Sequence, residues 1–260
     1  MAVICKVCAS NMRPAFRHAV LRKYDVQYSQ CQTCGFLQSE NPYWLEEAYS
    51  HAVAAADTGL MQRNLHLLNA SSVVFWRMFR GEGKFLDAAG GYGIFTRLMR
   101  DVGFDYYWSD PYAENLVARG FEAGPNGGPY RAISAFEVLE HVLDPLAFLG
   151  SLMSMGARTL LVSTELFLGD YPNPDQWWYY AFETGQHISF YRRTTLAMIG
   201  QKLGLTLQSA GNIHMWTDRP VSALQFRLMT HPKSAALLSW IPRLQLKSRV
   251  WSDHLERLKS

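Results

Sequence analysis

Residues 84–103 read KFLDAAGGYGIFTRLMRDVG. Phe85 and Leu86 make a short apolar strand that ends on Asp87. A glycine-rich turn follows, and apolar residues then return at helical spacing through Ile94, Phe95, Leu98 and Met99. The stretch is a strand, a loop and a helix. Glycines let the backbone adopt positive φ and approach a ligand, while the helix start offers unpaired N–H groups. The pattern G-x-x-x-x-G-K-[ST] is absent, and counting G-x-G-x-x-G from Gly91 and Gly93 puts Thr96 in the third place, so neither phosphate motif fits.

The same arrangement recurs downstream. In FDYYWSDPYAENLVARG (104–120) an aromatic strand closes on Asp110, and Pro111 is expected to open a helix. Asp110 is placed to accept from the ribose hydroxyls of a nucleoside, or to cap that helix. In AISAFEVLEHVLDPLAFLGSLMSMGARTLLVSTELF (132–167) the reading is a strand over 132–137, a turn carrying Glu140 and His141, a helix opened by Asp144 and Pro145, and a strand over 158–164. Three such alternations predict an α/β fold, a Rossmann-like, doubly wound parallel sheet with its ligand at the C-terminal strand ends. Asp87, Asp110, Glu137 and Glu165 all fall at such ends.

All four cysteines lie before residue 35, as CKVC and CQTC. Cys5, Cys8, Cys31 and Cys34 offer four thiolates from two tight turns, the pattern of a closed structural zinc site; two disulfides are the alternative. No secretory signal precedes them and no apolar run has membrane-spanning length, which leads to the expectation of a cytoplasmic protein. The net charge of +3 is mild, though the segment holding Lys6, Arg13, Arg17, Arg22 and Lys23 and the end from Arg219 are basic. A solvated surface or a weak anionic partner accounts for that. The expected organisation is a zinc-binding module over 1–40, a helical lid or linker over 41–80, a sheet domain over 81–218 with an aromatic insert at 165–191, and an extension over 219–260. In the extension SALQFRLM (222–229) reads as a final strand, and 237–259 as two amphipathic helices broken at Pro242, for dimer packing, closure or membrane contact.

LDAAGGYG (86–93) resembles the L-D-x-G-x-G-x-G loop of class I S-adenosylmethionine-dependent methyltransferases, with Ala89 at the first glycine. FEVLEHVLDP (136–145) is similar to the more specific E-V-L-E-H-V-x-D-P segment of a large branch of that family. The resemblance covers about residues 80–215. With the cysteine segment, the chain is similar to zinc-containing methyltransferases of nucleotide-linked deoxysugars. The resemblance implies that Asp87, Ala89, Gly91 and Gly93 surround the methionine part of S-adenosylmethionine, that Asp110 holds its ribose, and that Phe136 and Glu137 run beside it. EAGPNGGPY (122–130) gives no adenine residue. Sugar C-methyltransferases carry Y-x-E-H with a basic histidine; FETGQHISFY (182–191) keeps His187 but has Thr184 and Gln186. This favours a hydroxyl over a carbon acceptor, with His187 first and His141 second as the proton acceptor; orienting a loop is the alternative role of each. Trp177, Trp178, Tyr179 and Tyr180 cannot all share one buried face, so some are expected to meet a sugar or base, the rest packing the insert.

The expected function is methyl transfer from S-adenosylmethionine to a small, saccharide-containing acceptor, free or carrier-linked. An rRNA or tRNA methyltransferase whose zinc module grips phosphates is one alternative, which the weak charge excess disfavours. A non-catalytic zinc-containing binding protein is the other.

Overall fold

The computed structural model describes residues 3–49, 58–124 and 127–259. Its first part contains β1 (Val3–Ile4), β2 (Asn11–Val20), β3 (Tyr24–Cys31), β4 (Leu37–Ser39), α1 (Leu45–Ala48) and α2 (Leu60–Phe79). Next come β5 (Lys84–Ala88), α3 (Ile94–Val102), β6 (Asp105–Ser109), β7 (Tyr130–Phe136), α4 (Pro145–Ser154) and β8 (Thr159–Ser163). The end of the insert forms β9 (Ser189–Phe190), and α5 (Arg193–Leu203), β10 (Thr206–Ala210) and β11 (Ile213–Thr217) follow. The chain closes with α6 (Ala223–Thr230), α7 (Pro232–Leu238), α8 (Trp240–Gln245) and α9 (Val250–Arg257).

The central sheet has the order β10-β11-β8-β7-β5-β6. Strands β5 to β8 pair in parallel, as expected, while β11 and β10 add an antiparallel edge. Side chains alternate strictly between two cores. Phe85, Tyr106, Leu161, Met215 and Phe226 join α2 and α3 on one face; Leu86, Leu160, Val162 and Trp216 join α4 and α5 on the other. Both faces are therefore covered, which is why β8 reads as an unbroken apolar run and every one of its residues is buried. The C-terminal ends of the parallel strands then gather Asp87, Asp110, Glu137 and Glu165 along one edge of the sheet.

The second sheet, β1-β2-β3-β4-β9, is antiparallel and takes its last strand from the end of the insert, with Leu37 opposite Phe190. A third core fills the space between this sheet and the insert, from Val26, Tyr28, Leu37 and Trp44 to Tyr179, Tyr180, Phe182 and Phe190. The module is thus built from residues well outside 1–40.

Three expectations are corrected. No helix follows Pro111: Asp110 accepts from the amides of Tyr112 and Ala113, and Asn115 from that of Ala118, so two side-chain turns in succession replace the helical ladder. SALQFRLM is the helix α6, not a strand, because Ser222 and Gln225 form a reciprocal capping box at its start. The end of the chain does not break at Pro242, which sits in the first turn of α8 where no N–H is missed; the breaks fall at Ser239 and after Gln245. The helical segment expected over 41–80 contains α1 and α2, and its residues 50–57 lie outside the described residues.

Helix α9 is tied back by charge. The Arg100 guanidinium, 2% exposed, makes a two-pronged pair with Asp253 at 2.8 and 2.7 Å, donates to the Tyr106 carbonyl and Asp105, and stacks on Phe121. Removing Asp253 takes away the two-pronged partner and leaves the buried guanidinium with Asp105, at 3.1 Å, as its carboxylate. Asp253→Ala is expected to cost about 3–5 kcal/mol in denaturant unfolding, whereas Asp25→Ala, at the exposed Arg17 pair, should leave the midpoint almost unchanged.

Candidate functional site

A cavity of about 500 Å³ opens at the C-terminal ends of β5, β7 and β8. One wall is the loop from Asp87 to Tyr92 with Ile94 and Phe95 of α3; Leu60, Arg63, Asn64 and Leu67 of α2 form another. The turn after β7 gives Phe136, Glu137, Glu140 and His141, and the insert gives Trp178, Tyr179, Ala181, Thr184, Gln186 and His187. A volume of this size suits a small-molecule ligand.

The glycine loop is held from below. Asp87 is 2% exposed and accepts from Ser134 Oγ at 3.0 Å and Thr96 Oγ1 at 3.2 Å. A Cβ on Gly90 would stand 2.8 Å from the Asp87 carboxylate and 2.7 Å from Trp108, so this position tolerates glycine alone. Gly91, at φ +53, has open space where a side chain would project. Its amide donates to Asp110 Oδ2 at 2.9 Å, and its carbonyl accepts from the Trp108 indole at 2.8 Å. Ala89 has a left-handed backbone, φ +59, which glycine adopts freely and alanine at a cost of about 1–2 kcal/mol. Glu137 and Ala181, also on the cavity wall, share this conformation at φ +52 and +47. Strain of this kind concentrates where a site requires a particular backbone.

Not every expected residue faces the cavity. Gly93 does not: it starts α3 at φ +85 and lies against Asn115, where a Cβ would meet Oδ1 at 2.5 Å. Asp110 lies behind the loop, with three of its roughly four acceptor positions taken by the amides of Gly91, Tyr112 and Ala113. Of the four aromatics, Trp178 and Tyr179 line the cavity, and Trp178 is 75% exposed. Trp177 and Tyr180 instead pack in the third core against Phe190, because their rings point to the sheet formed by β2, β3 and β9.

His141 and His187 meet because the end of the insert is laid along the turn after β7. Ile188 N donates to the Glu140 carbonyl at 2.8 Å, Ser189 Oγ to that of Val142 at 2.7 Å, and Tyr191 Oη to that of Leu139 at 2.7 Å. The two imidazoles stand edge to face, 4.9 Å between centroids. Each directs Nδ1 to a backbone carbonyl, His141 to Gln186 at 3.0 Å and His187 to Tyr179 at 2.6 Å. Nδ1 therefore donates in both rings, and in the neutral His187 ring Nε2 keeps its lone pair. Burial, aided by His141, holds His187 neutral by lowering its pKa to about 3. Burial also pushes Glu137, Glu140 and Glu165 above the usual carboxylate range. Among the described lining residues Arg63 is the one arginine or lysine, 3.9 Å from Glu137.

Sequence reading omitted Gly90, Tyr92 and Glu140 from the site, and gave the α2 segment as a lid or linker without naming its lining residues. The apolar spacing of α2 signalled a buried face, but nothing in it names the partner of Arg63 or Asn64. Glu140 belongs to the conspicuous E-H turn, and the loss of water around it appears only in three dimensions.

The four cysteine sulfurs converge in the N-terminal module, Cys5 Sγ 3.6 Å from Cys34 Sγ and Cys8 Sγ 3.4 Å from Cys31 Sγ. A disulfide needs about 2.05 Å, and no pair here is so joined. Sulfurs at about 2.3 Å from a tetrahedral zinc lie about 3.8 Å apart, so the donor set fits that ion. The Cys34 carbonyl accepts from Thr194 Oγ1 at 2.9 Å and Thr195 Oγ1 at 2.8 Å, which seats the cluster on the start of α5.

Burial raises the Asp87 pKa from 3.8 to about 7. Its contribution to stability is therefore complete below pH 3.8 and is lost as the pH rises through about 7. Asp87→Asn, which does not titrate, should gain thermal stability relative to wild type between about pH 4 and pH 7, with a constant advantage above. Melting curves at acid and alkaline pH check this; an advantage that shrinks as the pH rises would contradict it.

Residues 59–210 match the family model described as a methyltransferase domain, more than half of the chain. No curated protein matches. Among solved structures, magnesium protoporphyrin IX methyltransferase from Synechocystis PCC 6803 with bound S-adenosylhomocysteine is similar at 15% identity and TM-score 0.42, over 66% of this chain and 90% of that one. TnmH is similar at 18% identity and TM-score 0.48, over 66% and 60% of the two chains, and the mitomycin 7-O-methyltransferase MmcR at 17% and 0.41, over 58% and 52%. With its matched domain spanning the glycine loop, the strand-end carboxylates and the E-H turn, the chain belongs to the methyltransferase-domain family and is an S-adenosylmethionine-dependent methyltransferase.

Proposed function

We propose that the chain methylates a hydroxyl group of a small, saccharide-containing acceptor. The observation that carries this reading is the placement of His141 and His187 on the wall of the same cavity as the glycine loop. S-adenosylmethionine supplies an electrophilic methyl on a sulfonium. The residues present fit it: Ala89, Gly90 and Gly91 offer backbone without obstruction, and the acidic strand ends favour a cation. We assign Asp87, Ala89, Gly91 and Glu137 to its methionine end and Phe136 to the surface beside it. Asp110 would act chiefly by fixing the Gly91 amide, with one acceptor position left for a ribose hydroxyl; Gly93 would act by starting α3.

A hydroxyl must give up its proton as its oxygen attacks. The corner made by Glu140, His141 and His187 is where this chain can receive it, since the Nε2 of the neutral His187 ring is an acceptor. A carbon acid would need a stronger base. The position where the sugar C-methyltransferase pattern has glutamate is Gln186, whose side-chain amide donates to the Ala48 carbonyl at 2.9 Å. The exposed Trp178 ring at the cavity wall suits the C–H face of a sugar. Cys5, Cys8, Cys31 and Cys34 would hold a structural zinc, closed to water and substrate.

Calorimetric titration with S-adenosylhomocysteine is expected to give micromolar binding, weakened more than about tenfold by Asp110→Ala, which frees the Gly91 amide. Folded protein that does not bind it would contradict the reading. Zinc removal by a strong chelator should open both the cysteine cluster and the β4–β9 pairing to proteolysis, because the Cys34 carbonyl anchors α5 just after β9. Cleavage unchanged after metal loss would refute the structural zinc.

A further inference from the structure

We propose that Glu140, His141 and His187 bind one divalent cation on the cavity wall, and that this cation receives the acceptor's hydroxyl oxygen. The inference rests on the reading above that this cavity hosts methyl transfer to a hydroxyl.

One ligand atom from each of the three residues lies within 4.8 Å of the others. Atoms that share an ion at about 2.0–2.2 Å are about 3–4 Å apart, so modest side-chain closure completes the site. The Glu140 carboxyl is 1% exposed, yet neither of its oxygens has a hydrogen-bond partner. The Thr164 and Tyr179 hydroxyls beside it share one hydrogen bond of 3.1 Å, which leaves a single hydroxyl hydrogen to face the Glu140 carboxyl. A buried carboxylate with so few donors and no cation is costly. A histidine–carboxylate dyad would remove that cost if either Nδ1–H pointed to Glu140. Both point to backbone carbonyls instead. That arrangement is the one metal-ligating imidazoles use, with the distal nitrogen fixed and Nε2 presented to the ion.

Two imidazoles and one carboxylate suit a first-row divalent cation and leave positions open for exchangeable oxygen ligands. A hydroxyl bound there loses its proton to water more readily. Its oxygen then forms the new bond to the methyl carbon while the carbon–sulfur bond breaks and sulfur keeps that electron pair. The cation is unchanged at the end, and the two histidines serve as ligands in place of a histidine base.

The test uses full-length protein with the cysteine cluster zinc-loaded. Mn²⁺, a poor competitor for four thiolates, is titrated while free Mn²⁺ is read by electron paramagnetic resonance. One Mn²⁺ per chain is expected, with affinity reduced more than about tenfold by Glu140→Gln and by His187→Gln, both of which should retain S-adenosylhomocysteine binding. In case either variant fails to fold, ¹⁵N-histidine spectra of the wild type serve alone: Mn²⁺ should broaden the His141 and His187 signals and spare His18 and His254. Absence of Mn²⁺ binding up to millimolar concentration, binding unmoved by both variants, or broadening elsewhere overturns the proposal. S-adenosylhomocysteine binding without Mn²⁺ binding would sink the cation and leave the hydroxyl reading standing. Mn²⁺ binding at these residues without S-adenosylhomocysteine binding would support the site and remove the reaction assigned to it.

Discussion

The seating of Cys34 on α5 is the constraint on which the geometry of the site depends. Two threonine hydroxyls, from Thr194 and Thr195, converge on one carbonyl of the cysteine knuckle. Gly35, held at φ +80, lets Arg192 pack where a side chain would stand. Immediately upstream, Ser189 and Phe190 complete the N-terminal sheet, and upstream again His187 enters the cavity. A shift of the module would move His187 with it. The cysteine cluster thus sets the position of a site residue through packed neighbours and no direct contact.

The cavity itself is organised by poorly solvated carboxylates. Asp87, Glu137 and Glu140 are all withdrawn from water, and each has a different compensation: hydroxyls from Ser134 and Thr96 for Asp87, Ser163 and Arg63 for Glu137, and only the neighbouring Thr164 and Tyr179 hydroxyls for Glu140. Carboxyl groups at the strand ends, which a nearby cation would ionise, suit a sulfonium or a metal ion better than a phosphate, in agreement with the absence of a phosphate-binding loop motif. The left-handed backbone at Ala89, Glu137 and Ala181 belongs to the same design, since each of these residues turns the chain at the cavity wall.

Much of this was legible in the sequence because parallel strands buried on both faces announce themselves as apolar runs ending in acidic residues. The alternation of strand and helix gave the sheet, and the C-x2-C spacing gave the cluster of sulfurs. Errors arose where side chains compete locally with the backbone. Asp110 and Asn115 each capture nearby amides and cancel a helix that Pro111 suggested; Ser222 and Gln225 create one where apolar alternation suggested a strand. The long-range features were not legible. Nothing in two residues, Ser189 and Phe190, tells that they pair with β4, and nothing in the spelling of the E-H turn tells that the Glu140 carboxyl is withdrawn from water.

The β4–β9 pairing also orders events during synthesis. Leu37 leaves the ribosome long before Phe190, its partner across the sheet. Contacts so distant along the chain are slow to form, because loop closure must precede their reward. Until then the edge of β4 and the aromatic face of the hairpin have no cover. The nascent N-terminus therefore passes most of its translation as an open strand edge, the kind of surface that chaperones shield, and the last part of the insert to emerge is the part that closes it.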